Sequence, residues 1–378
     1  MTFIGTADEA HAQAARSAGL EDFGDQSYRE GLETLLRAIT TECTLDQRGQ
    51  EKVWADIVQI LVARLHSVHH MTDDDRADTI SAPIVITGVP RTGTTALHKL
   101  MAVDPQFQGL NRWVTNYPMP RPPRQTWDDD PRFLATAAAI KARYDAAPDY
   151  RKMHLEAADE VDECMQVLRQ GFVSIRFGTR VRVPSYDQWI KDQSDLPTYE
   201  WFGRVTAMIG RHDRRRWLLK NPSHILALPA LLAVFPDAVF IQTHRTLQSA
   251  IPSFCSIVEQ LRVEQGSPVT DTAEIGRREL GIWGPGALEA FRYRAQVPNL
   301  FVDVNHAEFN RAPLDTIASI YNLLDLELRD EVGERMRQRV AADPERQHGT
   351  HRYDMATFGL TLETVRSAFG EYATHFDI

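Results

Sequence analysis

Ile84-Val85-Ile86-Thr87-Gly88-Val89-Pro90-Arg91-Thr92-Gly93-Thr94-Thr95 runs from an apolar strand through a glycine-bounded loop into a helix. The nucleotide-binding P-loop has the pattern G-x-x-x-x-G-K-[ST]. Gly88 and Gly93 keep that spacing and Thr95 fills the last position, but Thr94 stands where the lysine belongs and Arg91 has entered the loop. Backbone N–H groups at the helix start can still cradle an anion. Without the lysine that reaches a γ-phosphate, the loop reads as built for a phosphate-bearing donor other than a magnesium nucleoside triphosphate.

Outward from this loop, strands alternate with helical stretches. Trp217-Leu218-Leu219-Lys220 reads as a short buried strand, and residues 223–234 as a helix interrupted by Pro229. Residues 236–245 read as a turn and an apolar strand, and 299–304 as another strand. Such alternation implies a parallel sheet wrapped by helices. Ligands of these sheets sit at the carboxyl ends of the strands, where 88–95, 220–224 and 244–246 fall. Upstream, Leu32, Leu35, Leu36 and Ile39 form one helical stripe, and Val53, Ile57, Ile60, Leu61 and Leu65 a second. The proline-rich stretch 117–131 reads as irregular, followed by helices to about 147 and over about 155–169. The expected organisation is a helical N-terminal extension over 1–80, then an α/β domain over 81–378 with a helical insertion at about 117–215.

The bulk numbers narrow the function classes. A chain of 378 residues, 43% hydrophobic, can bury a large core. Its net charge of −10 argues against nucleic acid as a partner, so an anion site must be a local basic pocket. The basic run 211–216 reads as a solvated helix end. Three scattered cysteines make neither a disulfide framework nor a zinc site. The N-terminus lacks the pattern of a signal peptide, and no apolar run approaches a membrane span. A cytoplasmic protein without stable membrane insertion is expected; oligomeric state is left open.

Three motifs occur in order. Pro90-Arg91-Thr92-Gly93-Thr94-Thr95 comes first, then Trp217-Leu218-Leu219-Lys220-Asn221-Pro222-Ser223-His224, then Phe235-Pro236-Asp237 through His244-Arg245 with Ser253 eight residues on. Together they resemble the sulfotransferases that use 3′-phosphoadenosine 5′-phosphosulfate (PAPS), especially the bacterial branch. The first resembles that family's 5′-phosphosulfate loop, the second its W-x-L-K-x-P-x-H strand end and the third its 3′-phosphate segment. Gly349-Thr350-His351-Arg352-Tyr353 with Phe358-Gly359-Leu360 is similar to its C-terminal loop. The resemblance implies a three-layer α/β, P-loop-like fold with a central parallel sheet. It also implies PAPS as co-substrate, no metal, and sulfuryl transfer to a hydroxyl of a small or lipid-like acceptor. Arg91, Thr92, Gly93, Thr94, Thr95, Arg245 and Ser253 would hold the donor, with His351 and Arg352 capping it. Arg91 and Lys220 would stabilise the leaving phosphate.

The proton acceptor is less directly marked. Animal relatives carry a histidine two residues after the strand-end lysine, and Pro222 occupies that position here. Glu156, Glu160 and Glu163 recur at helical spacing after His154, which would align three carboxylates on one face and raise their basicity by mutual repulsion. Glu163 is the first candidate for general base, with Glu160 and His154 next. Trp113, Tyr117 and Trp127 could roof an apolar acceptor pocket or simply pack. Two other readings stay open: a P-loop kinase using Mg–ATP, and a non-catalytic relative that binds 3′-phosphoadenosine 5′-phosphate (PAP).

Overall fold

The computed structural model describes residues 5–146, 156–297, 301–342 and 354–378. Five strands, β1 Ile84–Gly88, β2 Phe107–Gln108, β3 Arg216–Lys220, β4 Val239–His244 and β5 Phe301–Asn305, form one sheet in the order β2-β3-β1-β4-β5. Every pairing is parallel. Alternate residues of each strand feed different cores, as the two-residue period of a strand demands. Val85, Leu219 and Phe240 join one cluster, while Ile84, Ile86, Leu218 and Ile241 join another on the opposite face. The α/β class and central parallel sheet expected from the sequence are therefore the observed ones.

Before the sheet come α1 Ala7–Ala18, α2 Arg29–Glu42 and α3 Gln47–His70. Thr6 and Glu9 close a capping box on α1, and Asp46 caps α3 by accepting from Gly49 N–H. Both predicted stripes are buried, and they form their own cluster with Phe172, Phe177 and Tyr186. Arg64 anchors this region. Its guanidinium lies between the rings of Tyr28 and Trp201 and donates to Phe23 O, Asp25 O and Gln170 O.

Between β1 and β3 lie α4 Thr94–Met101, α5 Arg112–Asn116, α6 Pro131–Ala146, α7 Met165–Leu168, α8 Arg176–Arg180, α9 Pro184–Lys191 and α10 Leu196–Ile209. The proline-rich stretch contains a 3₁₀ turn over Arg124–Asp129. Pro229 does not interrupt a helix; it lies in the first turn of α11 Leu228–Val234, just after a 3₁₀ segment over Pro222–Ala227. Then follow α12 Leu247–Glu264, α13 Thr272–Arg294, α14 His306–Arg311, α15 Pro313–Leu323, α16 Asp330–Ala341, α17 Leu362–Phe369 and α18 Glu371–His375. The basic run is partly tied down: Arg211 pairs with Asp75, and Arg216 donates to Ala82 O.

One expectation fails in a way that matters for function. Residues 156–164 are not helical. Val161 bridges antiparallel to Asn111, Asp162 N–H donates to Leu110 O at 2.7 Å, and Cys164 N–H to Lys220 O at 2.9 Å. These backbone donors are committed to neighbouring strand ends and cannot also make helix bonds.

Candidate active site

The sheet register brings the three sequence motifs together. Ile86 lies beside Lys220 on β3, Gly88 beside Thr243 on β4, and His244 beside Asn305 on β5. All these carboxyl ends open at the same edge. A cavity of about 730 Å³ lies over that edge, lined by residues of the 90–95 loop, 220–223, Arg245 and the 156–163 segment.

The loop conformation is enforced by its glycines. Gly88 has φ 148°, and a Cβ there would come 2.6 Å from Thr243 O. Gly93, at φ 97°, precedes α4 and offers no side chain to its first N–H groups, which leaves that end open to an anion. Arg91 also adopts the left-handed region, at φ 70°, where a non-glycine residue is strained by about 1–2 kcal/mol. The Thr92 hydroxyl is turned inward: it donates to Val89 O at 2.7 Å and lies 2.5 Å from Thr243 Oγ1. Of the three threonines expected to offer hydroxyls to a donor, Thr94 and Thr95 line the cavity, and Thr92 braces the loop instead.

At one end of the cavity Arg91 Nε donates to the buried Ser253 Oγ at 3.2 Å, and Arg245 Nη1 donates to Arg91 O at 3.0 Å. Two arginines and a serine from β1–α4, the end of β4 and the first turns of α12 thus meet at one place. His306, the first residue of α14, completes this end and was not singled out from the sequence. Its ring lies against Gly93, where a Cβ would come 3.0 Å from Cδ2. Burial, assisted by Arg245 and Arg91, lowers its pKa to about 4, so the ring is neutral near pH 7. Its position directly after β5, at the carboxyl edge of the sheet, was the available signal.

At the other end stands Lys220, 2% exposed. Its Nζ lies 2.7 Å from Glu163 Oε1 and donates to Thr95 Oγ1 at 3.1 Å. The Cys164 N–H bond to Lys220 O sets that geometry by fastening the 156–164 segment to the strand end. The expected like-charge cluster is not formed, because each carboxylate has a cation of its own. Glu160 pairs with Lys99 at 2.8 Å and with Arg339, and Glu156 with Arg112 at 3.0 Å and Arg143 at 3.1 Å. Asp162 also faces Arg112, yet burial pushes its carboxyl above the usual range. Among the three glutamates, Glu163 is the one bound to the strand-end lysine.

The remaining sequence candidates fall elsewhere. His154, His351 and Arg352 lie outside the described residues. His224 is fully buried with Nδ1 2.8 Å from the Tyr199 hydroxyl, and burial lowers its pKa to about 3. Trp113 and Trp127 pack edge-to-face at 5.3 Å inside the main core, so they are packing residues rather than a roof. The apolar lining of the cavity comes instead from Phe254, Ile257 and Leu261 on one face of α12, with Trp283 of α13. Their i, i+3, i+7 spacing was legible, but nothing local said which face would line a cavity.

Comparisons with known proteins agree with this architecture. The sulfotransferase STF1 of Mycobacterium tuberculosis H37Rv is 37% identical over 98% of this chain and 100% of its own, with a TM-score of 0.87. The sulfotransferase STF9 of Mycobacterium avium is 29% identical over 100% of this chain and 97% of its own, with a TM-score of 0.88. Omega-hydroxy-beta-dihydromenaquinone-9 sulfotransferases Stf3 of Mycobacterium bovis and Mycobacterium tuberculosis are 29% identical over 184 residues, 47% of this chain and 46% of theirs. The match thus spans about half the length of those curated relatives. Residues 83–330 match the model of the Sulfotransferase family. With the loop, the strand-end lysine and the 245–253 segment converging on one cavity, this chain belongs to the sulfotransferase family.

Proposed function

We propose that the protein transfers a sulfuryl group from PAPS to a hydroxyl of a small or lipid-like acceptor. The observation that carries this reading is Lys220 Nζ, held between Glu163 Oε1 at 2.7 Å and Thr95 Oγ1 at 3.1 Å in the cavity that Arg91 and Arg245 also line, with Ser253 bonded behind Arg91. A cation, a carboxylate and an open helix N-terminus thus meet at one point, with a second cationic end beside it.

The residues fit the donor at two places. Arg245 and Ser253, with neutral His306 beside them, suit a 3′-phosphate: the guanidinium fork binds it bidentately and the hydroxyl donates. The α4 N-terminus, Thr94 and Thr95 suit the 5′-phosphosulfate. The Arg91–Ser253 bond joins the two ends, so Arg91 serves the leaving phosphate while registering on the 3′-phosphate grip.

Lys220 and Arg91 provide positive charge where negative charge builds on the leaving oxygen, and fixed cations in a half-enclosed cavity serve better there than mobile water. Glu163 receives the acceptor's hydroxyl proton at a carboxylate oxygen. The acceptor oxygen bonds to sulfur as the sulfur–oxygen bond to the phosphate breaks, yielding a sulfate ester, PAP and one proton. Phe254, Ile257, Leu261 and Trp283 offer the acceptor an apolar wall. A lipid-like acceptor accords with that wall and with the menaquinone derivative named for the Stf3 relatives.

Calorimetric titration with PAP and with Mg–ATP, followed by PAPS-dependent transfer to a panel of hydroxylated lipids, quinones and phenols, tests the proposal. Metal-independent PAP binding and sulfation of a panel member are expected. Preference for Mg–ATP, or PAP binding with no transfer to any acceptor, would overturn it.

A further inference from the structure

Glu163 acts on the buried rings of His98 and His224, and Asp303 Oδ1 lies 2.7 Å from His244 Nε2. His306 has different company. The charged groups acting on its ring are Arg245 and Arg91, and among the described residues no carboxylate joins them.

The ring is nonetheless built into the donor end of the cavity. Asn305, the last residue of β5, accepts from the N–H groups of Ala307 and Glu308 and so fixes the start of α14. His306 follows at once and lines the cavity with Asn310, one turn further on. A Cβ on Gly93 would come 3.0 Å from His306 Cδ2, so the glycine is what lets loop and ring meet. Asn310 Nδ2 is 3.2 Å from His306 Nε2 and 3.4 Å from Nδ1. The groups facing the ring are therefore Arg91 and the N-terminus of α4 from the loop, Arg245 from the end of β4, and neutral Asn310 from its own helix. Ser253 adds only a hydroxyl, bonded to Arg91.

An imidazolium in this place would meet positive charge alone. Burial, with Arg245 and Arg91, accordingly lowers the His306 pKa to about 4. A bound phosphate reverses that balance. Each opposite charge within about 4–6 Å moves a pKa by about 1–3, so a phosphate dianion lifts the ring to about 6 or above. Asn310 suits both states. Its NH2 donates to a neutral ring nitrogen, and its oxygen, once the amide turns over, accepts from the charged ring.

We infer that His306 reads the donor's 3′-phosphate by taking up a proton from solvent as that phosphate binds, and gives it back when the phosphate leaves. This inference deepens the PAPS reading and rests on it for the phosphate. It makes His306 a residue that separates the bisphosphate from adenosine 5′-phosphate, beyond what Arg245 and Ser253 do. The sign follows from the bound state holding the proton more tightly. The gain in affinity is nearly absent at about pH 7.5 and grows as pH falls through the bound-state value toward about 4.

The test titrates the full chain with PAP and with adenosine 5′-phosphate at about pH 7.5, 6.0 and 5.5, in buffers of different ionisation enthalpy that count the protons taken up. The phosphate itself titrates near pH 6 in any version of the protein, so wild type is read against His306→Gln. On binding PAP at about pH 6, wild type should take up about half a proton more than the variant. The ratio of variant to wild-type Kd should grow about fourfold between pH 7.5 and pH 5.5. Neither difference should arise with adenosine 5′-phosphate. In the wild-type protein alone, carbon-labelled histidine should show one imidazole turning from neutral to charged in the NMR spectrum when PAP is added at about pH 6. Equal proton counts in wild type and variant, a Kd ratio that does not move with pH, an unchanged imidazole spectrum, or the same uptake with adenosine 5′-phosphate would overturn the inference. Failure of the wild-type protein to bind PAP at any pH would sink the donor reading and this inference with it, whereas PAP bound without the histidine-dependent proton sinks this inference alone.

Discussion

Replacing Lys220 with methionine keeps the length of the side chain and removes its charge, which isolates the interaction at the centre of the site. At the 2.7 Å separation of Lys220 Nζ and Glu163 Oε1, an effective dielectric near 20 gives about 6 kcal/mol of gross attraction. Desolvation cancels most of it, since the Lys220 side chain is only 3% exposed, leaving a net coupling of about 1–3 kcal/mol. Glu163, with its side chain 29% exposed on the cavity, can rehydrate when the lysine is lost. The fold should therefore lose only about 1 kcal/mol. Turnover should fall far more, by about 10²–10³, the usual effect of deleting one preorganised cation or donor from a charged transition state. Glu163→Gln should lower turnover by about 10²–10⁴ through loss of the proton acceptor. Because the two residues act as a unit, the double variant should fall little below the worse single variant. Single-turnover sulfate transfer at saturating PAPS reads the rate, and PAP calorimetry separates it from donor binding. Lys220→Met with unaltered turnover, or strictly multiplicative losses in the double variant, would refute the shared role.

Other outcomes follow from the same geometry. Arg245→Ala should weaken PAP binding by about 10–100-fold by removing a charge-assisted contact. Arg91→Ala should act mainly on the transfer rate, and weakened PAP binding with an intact rate would contradict that division. Gly93→Ala places a Cβ 3.0 Å from His306 at φ 97°; it should cost about 1–2 kcal/mol of strain and raise the Kd for PAP, and unaltered affinity would mean the loop conformation is not set by this glycine. His98 and His224 are buried and held neutral, each with its pKa lowered to about 3 by burial. The unfolded chain therefore takes up protons first, below about pH 6.5, and stability should fall by up to about 1.4 kcal/mol per pH unit per histidine as acid is added. Urea midpoints that match at about pH 7 and pH 5 would show these rings are not held neutral in the fold.

The sheet was legible because its strands are short apolar runs ending in chemically distinctive residues. Lys220 and Arg245 could be assigned to one edge once their strands were read as parallel to β1. The 156–164 segment was misread because acidic residues at i, i+4 and i+7 imitate a helical face. What governs it is non-local: Leu110 O and Lys220 O take the N–H groups of Asp162 and Cys164, far away in sequence. The same holds for pairing. Lys99 and Arg339 reach Glu160 from α4 and α16, so a charge cluster in one dimension becomes a set of separate ion pairs in three. Glu163 nevertheless emerged as the first candidate, and the structure gives it a partner, Lys220, that no local pattern could supply. His306 escaped notice because a histidine after a strand is unremarkable until β5 is known to lie beside β4.

The two departures from the P-loop pattern fit together as one chemical substitution. In the nucleotide-binding loop, the lysine is local and the final Ser/Thr hydroxyl ligates magnesium. Here Thr94 has displaced the lysine, and the hydroxyl of Thr95 accepts from Lys220 Nζ at 3.1 Å. Lys220 comes from the neighbouring strand, where parallel pairing puts it beside Ile86. A magnesium ion would need that same oxygen at about 2.1 Å together with several waters or carboxylates, and the ammonium stands in its way. One cation thus has the hydroxyl that a metal would require. A sulfuryl group carries less charge than a terminal phosphoryl group, so a monovalent side-chain cation is better matched to it than a hydrated divalent ion. Glu163 then answers the question that the loop alone leaves open. Its carboxylate holds the ammonium at the loop, and on the mechanism proposed above the same carboxylate would take the acceptor's proton once the ammonium turned to the leaving oxygen. On that mechanism, preference for sulfuryl over phosphoryl donors and readiness for proton transfer would both be consequences of the same ion pair.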